Sequence, residues 1–318
     1  MVIVNQSTYI LNSILKSIKE QDIQFQKENK FDFSEGSLEK WKNTVTYAIK
    51  LLEDKSEYCL IKAYDIPYSL MDDVDLLIEN ENQLLDIYNQ LKNLDFIFKH
   101  IPFNDKLKLS AINKKLGIEI DFYPDAKWSE LRYLKKSVIT NSRIKNSKHG
   151  IFAFTPKPEH EIYIVATHSY FHGKVNLLEI LNTIKIILEQ EPKINEIVTL
   201  SKSYHFQNSL LVLLSISNQF LEKYGCKTIP NNNIEELYKI SHKRFRAISK
   251  KNYLLKDFPI KFSFQDLISS SLSKISDSNL DISISRFDEL NSFIKHNRVA
   301  NFFYSKLSKK YSGGFLPN

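Results

Sequence analysis

Cysteine is nearly absent from this chain. Cys59 and Cys226 are the only two among 318 residues. They lie far apart and show none of the spacings of a thiolate metal site, which excludes a Cys-based zinc centre and fits a reducing compartment. Glycine (7) and proline (9) are also scarce, while Lys, Ile, Asn and Ser are abundant. Few breakers and many helix-compatible residues predict a helix-rich protein with short loops. No stretch approaches about 18 uninterrupted apolar residues, so no membrane-spanning helix is expected. The opening Met1-Val2-Ile3-Val4-Asn5-Gln6 has no basic segment ahead of an apolar one. A secretory leader is therefore not expected, and a cytoplasmic setting is.

The net charge of +7 is unevenly spread. From Cys226 onward there are 16 Lys plus Arg against 8 Asp plus Glu, out of 44 and 37 in the whole chain. The residues before Cys226 therefore nearly balance. A basic C-terminal part slightly favours a polyanionic partner such as RNA. Solvated helix faces carry such charge as well.

In chain order, residues 1–30 read as a helix through Tyr9, Ile10, Ile14 and Ile18. Ser34 is the expected N-cap of a second helix, with Leu38, Trp41, Val45, Ala48, Ile49 and Leu52 as its apolar stripe. Both helices are expected to pack on a sheet. A helix over 82–94 and a strand at 96–98 follow. Residues 128–134 read as a short helix or extended turn, and the polar, basic run 141–150 reads as a linker. Thr155 and Pro156 are expected to open a helix that ends at His172 before Gly173. Further helices are expected over 177–189, 194–203, 206–224 and 234–253, the last basic. A Ser-rich stretch at 269–285 and a helix over 287–309 complete the reading. The pattern predicts an α+β chain, with a sheet-bearing domain and N-terminal helices in 1–140 and a helical domain with a basic tail in 141–318.

The chemistry is concentrated between Tyr58 and Ile78. An apolar run, 58–63, leads into a loop with Pro67 and Ser69, and then into Asp73-Val74-Asp75-Leu76-Leu77-Ile78. Side chains alternate along a strand, so Asp73 and Asp75 share one face, about 7 Å apart at Cα, while Val74 points to the core. Two carboxylates so placed repel each other unless something positive sits between them. Oxygen-only ligands suit a hard cation such as Mg²⁺ or Mn²⁺. A third carboxylate comes from 106–125. Ile118, Ile120 and Phe122 alternate with Glu119 and Asp121 in the second arm of an expected hairpin closed near Gly117. Glu119 shares its face with Asp121 and is the alternative ligand.

An apolar strand, a loop, Asp-apolar-Asp, a helix and a later strand with one more Asp resemble the DNA polymerase β-like nucleotidyltransferases. Within that superfamily the sequence looks most like poorly characterised prokaryotic nucleotidyltransferase family proteins. It covers roughly residues 55 to 225, including Ile120-Asp121-Phe122-Tyr123-Pro124 with Trp128, and Glu161 to His172. The resemblance implies that Asp73, Asp75 and Asp121 are the catalytic metal ligands. It also implies that an NMP passes from an NTP such as ATP to a hydroxyl on RNA, a protein side chain or a small molecule. A toxin-like enzyme silenced by a regulatory protein partner is one variant. Lys62, Tyr68 and Ser69 are the expected nucleotide contacts. Where the superfamily usually places Gly-Ser or Gly-Gly, this chain has Lys62-Ala63-Tyr64, so Lys62 is the expected source of positive charge for phosphates. A catalytically weak nucleotide- or RNA-binding protein of the same fold is the alternative. His168 and His172, four apart on one helix, have the spacing of zinc ligands but no third partner, and read as structural or substrate-facing.

Overall fold

The computed structural model describes residues 2–263, apart from 34–35, 53–56, 79–80, 101–107, 114, 116, 129–130, 133 and 205. Ser34 and the expected elements at 269–285 and 287–309 lie outside the described residues.

The first expected helix is two. Helix α1 (Val2–Lys19) is followed by α2 (Ile23–Glu28), which starts afresh because the Asp22 carboxylate accepts the Phe25 N–H. Helix α3 (Ser37–Leu52) buries Trp41, Thr44, Val45, Ala48, Ile49 and Leu52, one stripe at helical spacing. It packs on the sheet as expected, but α1 does not. The stripe Ile10, Leu11, Ile14, Leu15 and Ile18 is buried, and α1 runs along a helix of the C-terminal half, where Ser7 Oγ donates to Glu189.

The central sheet contains β1 (Tyr58–Ile61), β2 (Asp73–Ile78), β3 (Phe96–His100), β4 (Leu109–Asn113) and β5 (Glu119–Tyr123), in the order β1-β2-β5-β4-β3. It is mixed. Only the β2–β5 pair is parallel, and the other three are antiparallel. Helix α4 (Glu81–Lys92) follows β2 and buries Leu84, Ile87 and Leu91. The expected hairpin is β4–β5. A small ribbon, β6 (Lys127–Trp128) with β7 (Leu131–Arg132), replaces the expected helix or turn near 128–134, and α5 (Lys136–Thr140) comes after it.

The expected linker at 141–150 is structured. Strands β8 (Ile144–Lys148) and β9 (Ile151–Thr155) form a hairpin with Lys148 opposite Ile151. Its two loop residues, His149 and Gly150, both have positive φ, 51° and 84°. That geometry matches the right-handed strand twist and makes a tight two-residue turn. The hairpin packs on β1, with Tyr58 edge-on to Phe154.

Helix α6 (Pro158–His172) starts two residues later than the sequence suggests. Thr155 still belongs to β9, and Pro158 takes the first helical turn. Gly173, at φ 67°, closes it. It is followed by β10 (Lys174–Val175), α7 (Leu177–Gln190), α8 (Ile194–Ser203), α9 (Gln207–Lys223), α10 (Asn231–Ile240) and α11 (Lys243–Ser249). The single basic helix expected over 234–253 is broken between α10 and α11. The Asn208 carboxamide oxygen accepts the His242 N–H, and the His242 ring caps Arg244 N. Helices α6 and α9 are buried almost all round, so they form the centre of the helical half. Strand β11 (Ile260–Lys261) pairs with β10. The result is an α+β fold. No described helix is long and apolar enough to cross a membrane.

Candidate active site

Parallel pairing of β2 with β5 places Asp73 opposite Glu119 and Asp75 opposite Asp121. The intervening Val74, Ile120 and Phe122 are fully buried on the other face. The core face and the acid face are therefore set by one register. One oxygen each from Asp73, Asp75 and Asp121 lies within 4.8 Å of the others. Asp75 and Asp121 are only 3% exposed, and Asp73 is half-buried. These are the three carboxylates singled out by the sequence. Glu119, the alternative, turns to Lys99 instead.

Two lysines answer the acids. Lys62 Nζ lies 2.7 Å from Asp75 Oδ2, and Lys108 Nζ lies 2.6 Å from Asp121 Oδ2. Ser110 Oγ donates to Asp121 Oδ1, and the Tyr123 hydroxyl donates to its Oδ2 at 3.0 Å. Both ammonium groups also sit near the Tyr123 ring, 5.5 and 5.7 Å from its centroid. Asp75 Oδ1 is buried and finds no hydrogen-bond donor among the described residues. Burial, and then the charge of Asp75, push the Asp73 carboxyl up to about 7. Burial raises Asp75 as well, against the pull of Lys62. Packed carboxylates of this kind are costly without further positive charge.

Lys62 leaves β1 with φ at 57°, a left-handed conformation unusual for a side-chain-bearing residue. From there its side chain reaches Asp75. Trp41 Nε1 donates to the Asp73 carbonyl and so ties α3 to the start of β2.

The acids open on a cavity of about 740 Å³, a size suited to small-molecule ligands. Its other lining includes Lys30, Tyr64, His168, His172, Lys174 and Glu179. No protein-family model, curated protein or solved structure matches this chain.

Of the three expected nucleotide contacts, only Lys62 lines the cavity. The loop before β2 turns the other two away. Tyr68 stacks on Phe33 with ring centroids 4.8 Å apart. Ser69 is buried, with Oγ 3.5 Å from the Tyr64 carbonyl and from His149 Nε2. Asp65 anchors the same loop, accepting from Lys185 Nζ and from the His149 N–H. His168 and His172 do face together, with rings 4.2 Å apart, and His168 Nδ1 lies 3.3 Å from Glu179 Oε1. Sequence reasoning missed Lys108, Tyr123, Tyr64 and Glu179. Tyr123 was legible, since it lies two residues from Asp121 on one strand and so shares its face. Glu179 carried no local signal.

Proposed function

We propose that the chain is a metal-dependent nucleotidyltransferase that moves an NMP from an NTP to a hydroxyl and releases pyrophosphate. The observation that carries this reading is the in-register pair Asp75 and Asp121 with Asp73 beside them, three carboxylates converging at one end of a small-molecule cavity. The likeness of these segments to the DNA polymerase β-like nucleotidyltransferases supports it, and the setting we propose for it is cytoplasmic.

The donor set fits Mg²⁺ or Mn²⁺. All three groups offer hard oxygens, and Asp75 Oδ1 lacks a donor. Asp73, Asp75 and Asp121 would hold the ions. Bound there, such ions would supply positive charge that lowers the pKa of an attacking hydroxyl and stabilises a leaving pyrophosphate. The chain's own contribution is placement. β2 and β5 fix the carboxylates, Ser110 and Tyr123 orient Asp121, and Lys62 sets an ammonium group against Asp75 at the edge of the cavity.

The test is incubation with each of four α-labelled NTPs and Mg²⁺ or Mn²⁺, with total RNA and cell lysate as acceptors. Label is expected to move with the native chain and not with the Asp73→Ala/Asp75→Ala variant. Equal transfer by both would overturn the reading. A second reading, nucleotide binding without turnover, is favoured by one observation: Lys62 and Lys108 already neutralise Asp75 and Asp121. Metal-dependent NTP binding with no labelled product under any condition would select it.

A further inference from the structure

The cavity has a second wall, built mainly by helices, whose chemistry differs from that of the acid wall. Tyr64 stands on it. Its hydroxyl is buried and finds no hydrogen-bond partner among the described residues. An unpaired buried hydroxyl is unfavourable, and Tyr64 lines the cavity, where a bound molecule can supply the missing partner. Beside it, Glu179 on α7 is 1% exposed and accepts the Asn176 N–H through Oε2 at 2.7 Å. Its Oε1 faces His168 of α6.

Charge decides what fits there. Burial, then the carboxylates of Glu179, Asp75 and Asp73, hold the Tyr64 phenol well above its ordinary value, so it keeps its proton and donates. Burial, then Lys62 and Lys30, hold His168 well below its ordinary value, so this imidazole is neutral at pH 7. Burial raises the Glu179 carboxyl to about 7, so it is only partly ionised at neutral pH, and Lys30 and Lys174 line the same cavity. A ligand hydroxyl matches both groups, because it accepts from Tyr64 and donates to Glu179.

We infer that Tyr64, His168 and Glu179 form a subsite for a small molecule rich in hydroxyls, of the sugar or polyol class, in the cavity that the three aspartates also line. Its role as the acceptor site rests on the nucleotidyl-transfer reading. The binding itself does not.

Saturation-transfer NMR on the full chain, without nucleotide or metal, tests it against glucose, ribose, N-acetylglucosamine and myo-inositol. At least one is expected to bind. Tyr64→Phe and Glu179→Gln should each weaken it about tenfold, the effect of one lost ligand hydrogen bond. Tyr64→Phe should leave the melting temperature unchanged or higher, because the hydroxyl it removes has no partner inside the protein. No binding by the native chain, or binding indifferent to both substitutions, would overturn the inference. Sugar binding without label transfer would keep the subsite and sink the transferase reading. Label moving only onto RNA, with no sugar bound, would do the reverse.

Discussion

The indole N–H of Trp41 donates to the backbone carbonyl of Asp73 at 3.1 Å. A helix side chain thus fixes the first residue of β2, the strand that carries two of the three acids. Trp41→Phe is expected to cost about 1–2 kcal/mol, from a lost hydrogen bond and a smaller ring. Label transfer should fall further than the fraction of folded protein does. Urea melts and turnover on the same sample check this. A variant with native turnover would separate the α3 contact from the site.

Lys62 should behave as a counter-ion that a metal can replace. Lys62→Met strips the ammonium from buried Asp75 and should destabilise the metal-free chain by up to about 3–5 kcal/mol. Mg²⁺ should then raise the melting temperature more in Lys62→Met than in the native chain. A smaller metal effect in the variant would mean that the lysines, not a cation, complete the site.

Lys148 and Glu161 form a second test of buried charge, away from the cavity. Lys148 Nζ reaches both Glu161 oxygens, at 2.7 and 2.9 Å, and joins the β8–β9 hairpin to α6 with both groups almost fully buried. Lys148→Ala leaves a buried carboxylate and should cost about 3–5 kcal/mol. Lys148→Met combined with Glu161→Gln should recover most of that. Denaturant midpoints of the three proteins measure the difference.

His160 predicts an acid-side loss of stability. Its side chain is buried and its Nδ1 lies 3.0 Å from Ser142 Oγ. Burial, and then Lys157, push the imidazole down to about 4. A depressed pKa on a base means that the unfolded chain binds the proton first as pH falls. The stability tied to neutral His160 is therefore full above about pH 6.5 and drains away between there and about pH 4. Relative to His160→Gln, the native chain should lose about 1–3 kcal/mol across that window. A constant difference between the two proteins would show that His160 does not titrate in this way.

Much of this was readable from local pattern. The alternation in Asp73–Ile78 and Ile118–Phe122 places acids on one face and core residues on the other whatever the tertiary context. The stripe of α3 and the apolar length of α9 are similarly self-contained. What escaped depends on partners distant in sequence. The 141–150 run looks like a linker because its polar residues lie on an outer ribbon, and its turn uses His149-Gly150 in place of a stronger turn signal. The 234–253 helix breaks because Asn208, on another helix, captures the His242 N–H. Tyr68 and Ser69 sit beside the acids in sequence, yet Phe33 and His149 draw them elsewhere. Tyr64 and Glu179 meet at the cavity only because α7 is brought against the loop after β1, where Lys185 reaches Asp65.

The pairing of Asp75 with Asp121 has a consequence for how this chain tolerates change in length. Because β5 presents Ile120 and Phe122 to the core and Asp121 to the cavity, deleting one residue within Ile118–Tyr123 would exchange the two sets. Such a deletion would bury an acid and expose two large apolar side chains at once. Length variants should therefore be accepted in the turn between β4 and β5 and rejected within the strand. A deletion scan across 113–123 would then show a sharp boundary at Ile118, not a gradual decline.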